Sequence, residues 1–280
     1  MNDSISEVKI NKYSEGVITQ STDLLAVEEP LEIKILSGAA NEKKEWDVSI
    51  TMRTPGNDYE LAVGFLFTEG IIKGKHDLDL NQAKHASSIS NNRIIVHCKE
   101  HVSIDASLLQ RNFYTTSACG VCGKASIDAL YTLTPKHLSQ KDFLISKELI
   151  IQLPDLLQQQ QKNFIQTGGI HAAALFDTAG KLLYLQEDVG RHNALDKLIG
   201  HYLLDATEEK KQSDNTILLL SGRASFELIQ KSAMAGFSMI CAVGAPSSLA
   251  VETANRFGIT LIGFLRGQRF NIYSHAQRVC

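Results

Sequence analysis

The chain has no apolar run long enough to cross a bilayer as a helix. Its first residues, "MNDSISEVKINKY", lack the apolar core that follows a basic start in a secretory leader. The expectation is a soluble, cytoplasmic protein with no membrane partner. It also has no excess of positive charge: the net charge is -3 and the pI near 6.3. That argues against sequence-independent binding of nucleic acid, which needs a strongly basic face to displace phosphate counterions. No internal repeat is evident, and the one biased tract, Gln158 to Gln161, lies in a helical pattern. Five cysteines form an odd set, and Cys98, Cys241 and Cys280 have no framework spacing, which excludes a secreted disulfide scaffold. Neither the Walker pattern nor G-x-G-x-x-G occurs, so a standard NTPase or dinucleotide fold has no support.

What is present is enough for a core. With 280 residues, 44% hydrophobic and 21% charged, the chain can form one large or two modest globular domains. The first third reads as strands with one helix. "LLAVEEPLEIKILSG", "WDVSITMRT" and "RIIVHCKE" alternate apolar residues between glycine or proline breaks, and Asn57 or Asp58 caps the helical "YELAVGFLFTEGII". "KELIIQLPDLLQQQQKNF" is helical with a kink or break at Pro154, and "HAAALF", "DTAG" and "KLLYLQ" form a hairpin. The last third alternates "NTILLLS", "FELIQKSAMAG", "MICAVGA", "LAVETANRFG" and "ITLIGFL", a βαβαβ unit that predicts an α/β fold with a mostly parallel sheet. A domain boundary is placed near residue 112, with a smaller strand-rich α+β domain over 1–112 and the second domain over 113–280.

In such a unit, ligands sit beyond the carboxyl ends of the strands. Those ends carry "SGRAS" with Ser221 and Arg223, "GAPSS" with Ser247, and "RGQR" with Arg266 and Arg269. Two lead into helix N-termini, which favour anions, and the third offers two guanidinium groups for bidentate phosphate contacts. Together they point to a phosphate-bearing ligand, such as a nucleotide; taken singly, Ser225 and Ser247 are ordinary caps and the arginines are solvated. "EDVGRHNALDKLIG" gathers Asp188, Arg191 and His192 around Gly190, either as part of a site or as a surface turn with Asp188 and Arg191 paired. His171 opens a strand after two glycines, as a site residue or a satisfied structural one.

"TTSACGVCGK" holds Cys119 and Cys122 at zinc-ligand spacing, but no second close pair completes four ligands. A zinc deaminase would need H-x-E, and the residue two after His171 is Ala173. A thioredoxin-like disulfide lacks its surrounding βαβ pattern. Gly120 and Gly123 give the loop reach. Lys124 and a helix capped by Ser126 would favour a thiolate. From residue chemistry alone, sulfur or acyl carriage, redox work, half of a zinc site and an incidental pair all stay open.

These stretches in this order resemble the formate dehydrogenase accessory sulfurtransferases, the FdhD/NarQ type of sulfur carrier. The likeness runs through "ELAVGFLFTEGII", "CGVCGKASI", "TGGIHAAALF", "EDVGRHNALDKLIG", "SGRASFELIQKSAMAG", "APSSLAVETA" and "GITLIGFLRGQRFNIYS". The resemblance implies a cytidine deaminase-like core, a homodimer, and sulfur taken as a persulfide from a cysteine desulfurase. It implies transfer to the bis(molybdopterin guanine dinucleotide) molybdenum cofactor before insertion into formate dehydrogenase, with GDP as a mimic of that cofactor. It assigns the persulfide to Cys119, with Cys122 beside it, and cofactor binding to Phe264, Leu265, Arg266, Gly267, Gln268 and Arg269. Ser221, Arg223, Ser247, His171, Asp188, Arg191 and His192 are candidates to line the same site. A zinc-binding scaffold that uses the cysteine pair as half of a metal site is the competing expectation, and no resident metal is expected of the sulfur carrier.

Overall fold

The structure, a computed structural model, describes residues 4–39, 42–83, 92–104, 143–205 and 215–280. Cys119, Cys122, the helix expected after Ser126 and the boundary placed near residue 112 lie outside the described residues.

The βαβαβ unit forms as expected. Strands β8 (Thr216–Leu220), β9 (Met239–Ala242) and β10 (Thr260–Arg266) run parallel, joined by helices α6 (Phe226–Met234) and α7 (Ser248–Phe257). Every residue of β8 and β9 is buried, the all-apolar pattern of strands covered on both faces. Helix α7 stops where Gly258 takes a left-handed conformation with φ 74°.

The sheet is not mostly parallel. Its six strands run in the order β11-β10-β9-β8-β6-β7. β6 (His171–Asp177) pairs antiparallel with both β8 and β7 (Leu182–Asp188), as β11 (Arg269–Ser274) does with β10. Connection length accounts for two of these pairings: "DTAG" joins β6 to β7 and "RGQR" joins β10 to β11, and a tight turn can join only antiparallel neighbours. The mixed sheet thus inserts a hairpin beside β8 and ends in a hairpin at β11.

The N-terminal third builds two further sheets. β3 (Glu29–Ser37) pairs antiparallel with β4 (Lys44–Arg53) and parallel with β5 (Arg93–His97). β1 (Ile5–Ser14) and β2 (Val17–Ala26) form a separate ribbon. The sequence reads Leu24 to Gly38 as one extended stretch, but Val27 and Glu28 interrupt it. Helix α1 (Asp58–Thr68) and the single turn α2 (Leu80–Ala83) complete this part. Asn57 precedes α1 with φ 55° and gives its side chain to Gln186 instead of capping, Nδ2 donating to Oε1 at 2.9 Å.

Helix α3 (Lys147–Gln158) runs on through Pro154, and the break before α4 (Lys162–Thr167) comes at Gln159 to Gln161. Only the first residue of the glutamine tract is helical. Helix α3 covers one face of the central sheet through Ile150, Leu153 and Leu157. On the other face, helix α5 (Arg191–Asp205) packs against α1, and a single apolar cluster extends from Leu31 through both helices to Leu261.

That helix pair crosses backbone to backbone. A Cβ on Gly64 would lie 1.9 Å from the Asp196 carbonyl oxygen, and one on Gly200 would lie 1.9 Å from that of Glu60. Beside the crossing, Lys231 Nζ donates to Asp196 Oδ1 and Oδ2 at 3.0 and 2.9 Å and to Thr68 Oγ1 at 2.9 Å. Burial alone would lower the Lys231 pKa, but Asp196 and Glu69 outweigh it and hold it above its ordinary value.

Three outcomes are expected. Gly64→Ala forces the helices apart and lowers stability by about 3 kcal/mol, measured by urea unfolding. Gly169→Ala, whose Cβ would meet nothing nearer than Thr167 O at 3.8 Å, leaves stability within about 0.5 kcal/mol. Lys231→Met strands the Asp196 carboxylate and costs about 3–5 kcal/mol at neutral pH. An unpaired buried carboxyl has a raised pKa and gains a proton on folding, so this deficit shrinks as pH falls; a deficit independent of pH would contradict the assignment.

Candidate functional site

The carboxyl ends of β8, β9 and β10 meet the start of β6 and the end of β7 along one edge of the central sheet. His171 pairs in register with Asp188, and Ser221 N donates to Ala172 O at 3.0 Å. The strand-end loops are laced together there. Gly244 N donates to Gly222 O, Ala224 N to Ala245 O, Ser247 N to Ala224 O and Phe264 N to Gly244 O, at 3.0 to 3.1 Å. Gly244 has to be glycine for this approach, since a Cβ would sit 2.9 Å from Gly222 O. The edge is therefore a pinned rim rather than a set of independent loops.

Neighbouring carboxylates at the end of β7 point opposite ways, as strand alternation requires. Glu187 accepts from Asn163 N and Phe164 N, both at 3.0 Å, and so anchors the start of α4. Asp188 is fully buried. It accepts from Thr54 N at 3.1 Å, Gly190 N at 2.8 Å and Lys197 Nζ at 2.7 Å. Lys197 Nζ also donates to Thr54 O at 2.7 Å. The expectation that Asp188 lines the site, or pairs with Arg191 on the surface, gives way to a scaffold role: its oxygens are occupied in joining β4, β7 and α5.

Arg191, His192 and His171 stay at the edge and are partly exposed. Arg191 Nε is buried and has no hydrogen-bond partner among the described residues. A Cβ on Gly222 would meet His171 Nδ1 at 3.2 Å and Arg191 Cδ at 4.0 Å, which places the imidazole and the arginine stem around that glycine. Burial, reinforced by the Arg191 charge, lowers the His171 pKa. Burial together with Arg191, Lys231 and His171 pushes His192 down to about 3. His192 Nε2 lies 3.3 Å from Ser225 Oγ and 3.4 Å from Glu227 Oε2. Both shifts favour the neutral imidazole, and the charged groups around these histidines are Arg191, Lys231 and the Glu227 carboxylate.

The serines divide by role. Ser221 Oγ accepts from Ala172 N at 2.8 Å and Ser247 caps α7 by accepting from Ala250 N at 3.2 Å. Ser225 stands at the N-cap of α6 but makes no capping bond with its side chain, because its hydroxyl faces His192. Arg223 is exposed on the same rim.

At the far side, Arg266 and Arg269 face each other across the β10–β11 turn, with Gly267 at φ 56°. Like charges directly opposite on paired strands are unfavourable without an anion between them. Arg266 lies over the Phe264 ring at 5.9 Å, and Phe264 itself holds φ 53°, a strained value for an aromatic residue. Gly267 and Gln268 are exposed beside them. Leu265 is different: it is fully buried in the core cluster that includes Ile262 and Met239, so its side chain does not face the site.

Between α3, α4 and the sheet edge opens a cleft of about 590 Å³, lined in part by Gln161, Phe164, Gly169, His171, Ser221 and Val243. The sequence motifs lead to His171 and Ser221 but not to Gln161, Thr54 or Lys197. Thr54 and Asp188 are 134 positions apart, and no local spacing announces such a pair.

The sequence pattern that describes the FdhD/NarQ family matches residues 26–280. The sulfur carrier protein FdhD of Streptomyces coelicolor is 45% identical over 276 residues, covering 97% of this chain and 94% of that protein. The protein of the same name from Saccharolobus solfataricus is 43% identical over 261 residues, covering 93% and 92%. The crystal structure of a candidate formate dehydrogenase accessory protein from Desulfotalea psychrophila superposes with a TM-score of 0.73 over 99% of both chains at 22% identity, a likeness of fold. This chain belongs to the FdhD/NarQ family.

Proposed function

We propose that the protein is a cytoplasmic sulfur carrier that takes sulfur from a cysteine desulfurase as a persulfide on Cys119. It passes that sulfur to the bis(molybdopterin guanine dinucleotide) form of the molybdenum cofactor, which then enters formate dehydrogenase. Kinship with proteins named sulfur carriers supports the class of activity. The observation that carries the ligand half is the opposed pair Arg266 and Arg269 at the end of a rim that also bears Arg191 and Arg223. Such a row of guanidinium groups suits the pyrophosphates of a dinucleotide cofactor. A cytidine deaminase-like core and a homodimer belong to the same reading.

In the first step the Cys119 thiolate attacks the outer sulfur of the desulfurase persulfide. The donor's S–S bond breaks, the desulfurase departs as its thiolate, and Cys119 holds S–SH with no net change in electrons. Cys122 is the second thiol of the same motif. The cofactor is the acceptor substrate; Arg266, Arg269, Arg223 and Arg191 bind its anionic groups. Neutral His171 and His192 can donate or accept a hydrogen bond there without adding charge.

Incubation with desulfurase and cysteine should add one cyanolysable sulfur to the wild-type chain, seen by intact mass, and none to Cys119→Ala. Equal loading of both would reject Cys119 as the carrier. Arg266→Ala combined with Arg269→Ala should weaken GDP binding at least tenfold, since each guanidinium–phosphate contact contributes about 1.5–3 kcal/mol; an unchanged Kd would reject the grip. Stoichiometric zinc in protein purified without added metal, lost when both cysteines are replaced, would favour the scaffold reading instead.

A further inference from the structure

A second cavity opens at the other end of helix α5, away from the strand-end rim. Tyr202 and Leu203 of α5 form one side of it, and Phe67 of α1, Leu78 and Leu80 supply the rest of its apolar surface. At 1.5 Å per residue, Tyr202 lies about 17 Å along the helix axis from Arg191. The cavity holds about 680 Å³, within the range of about 300–1,000 Å³ common to small-molecule sites.

Its charge is mostly of one sign. Lys73, Lys75, Lys99 and His76 line it, against the single carboxylate of Asp79 among its described lining residues. In a chain with a net charge of -3, three lysines at one opening are a local reversal. Asp77, only 5% exposed, places two of them. Its Oδ2 accepts from Lys73 N at 2.7 Å, its carbonyl oxygen accepts from Lys99 N at 2.8 Å, and its Oδ1 lies 3.1 Å from His101 Nε2. One buried residue thus sets both lysine backbones beside the same cavity. The side chains then divide by role. Lys75 Nζ donates to Leu204 O and covers the carbonyl end of α5, where a cation is favoured. Lys73 and Lys99 are exposed and have no ion pair among the described residues.

The aromatic wall is fixed as well. Tyr202 packs edge-on against Tyr184 and Phe237, with ring centroids 6.0 and 5.5 Å away. Leu80 beside it is 38% exposed. Solvated lysines alone would need no explanation, but here they border a rigid apolar hollow. We propose that this cavity binds a small organic anion, a phosphate or carboxylate carried on an aromatic body. The ring lies against Tyr202, Leu80 and Leu203, and its charge lies between Lys73 and Lys99. Ammonium groups meet either anion as point charges, so the lysines hold the charge and the walls select the body. The site is separate from the sulfur-carrier reading and does not depend on it.

Calorimetric titration of the full chain with naphthyl phosphate, naphthoate, naphthalenemethanol and inorganic phosphate tests this. Naphthyl phosphate or naphthoate should bind at least about tenfold more tightly than the neutral alcohol or inorganic phosphate, because ring and charge contribute together. Lys73→Gln combined with Lys99→Gln should weaken that binding at least about tenfold and leave the melting temperature unchanged, since both side chains are exposed. Lys181→Gln, which removes an exposed lysine elsewhere, should bind as wild type does. So should the chain with Arg266→Ala and Arg269→Ala, which separates this cavity from the rim. A preference for phosphate or for carboxylate identifies the charged group. The inference is overturned if wild type binds neither anion, or if inorganic phosphate or the neutral alcohol binds as tightly. It is equally overturned if the double lysine variant binds as wild type does, or if the arginine variant loses as much affinity as the lysine variant.

Discussion

The buried contact between Asp188 and Lys197 is the constraint on which the edge of the sheet depends. Two charges removed from water are unfavourable unless every remaining lone pair and proton has a partner. Here Asp188 also accepts from Thr54 N and Gly190 N, and Lys197 also donates to Thr54 O. The network joins three elements distant in sequence: the end of β4, the end of β7 and helix α5. It fixes where α5 begins, and Arg191 and His192 are its first two residues. The crossing at Gly64 and Gly200 locks the same helix farther along, so the site residues hang from a helix held at both ends.

The electrostatics of the rim follow from that rigidity. Backbone hydrogen bonds between the strand-end loops fix the backbone positions from which Arg223 and Arg266 project, while their exposed side chains stay free to reorient. Burial next to Arg191 and Lys231 keeps His192 neutral. A protonated imidazole there would add repulsion within the rim. The low pKa follows first from burial and then from the neighbouring cations, and it limits His192 to hydrogen bonding at neutral pH.

Much of this was legible in the sequence, and the boundary of what was legible is physical. The βαβαβ unit was readable because each strand and helix carries its own period and its own stop, such as Gly258. From it followed the convergence of Ser221, Arg223, Ser247, Arg266 and Arg269 on one edge. What a local pattern cannot encode is the partner of a hairpin. "HAAALF" reads as a strand whether or not it joins β8, so the sheet looked more parallel than it is. Asp188 read as a site residue for a similar reason: a carboxylate beside a glycine and a histidine looks the same whether it faces solvent or a lysine nine residues on. Leu265 was carried along by the motif around it, although the irregularity at Phe264 turns its side chain into the same core cluster as Ile262.

The family likeness adds names to the motifs and leaves their physical division of labour to be worked out from contacts. Within "EDVGRHN" the structure separates three tasks that the motif runs together. Glu187 secures the wall of the cleft, Asp188 secures the scaffold, and only Arg191 and His192 remain at the edge. Substitution at either carboxylate would therefore act through the position of α4 or α5. Adjacent acidic residues of one motif thus act on opposite faces of the sheet, and the alternation of a β-strand is what divides them.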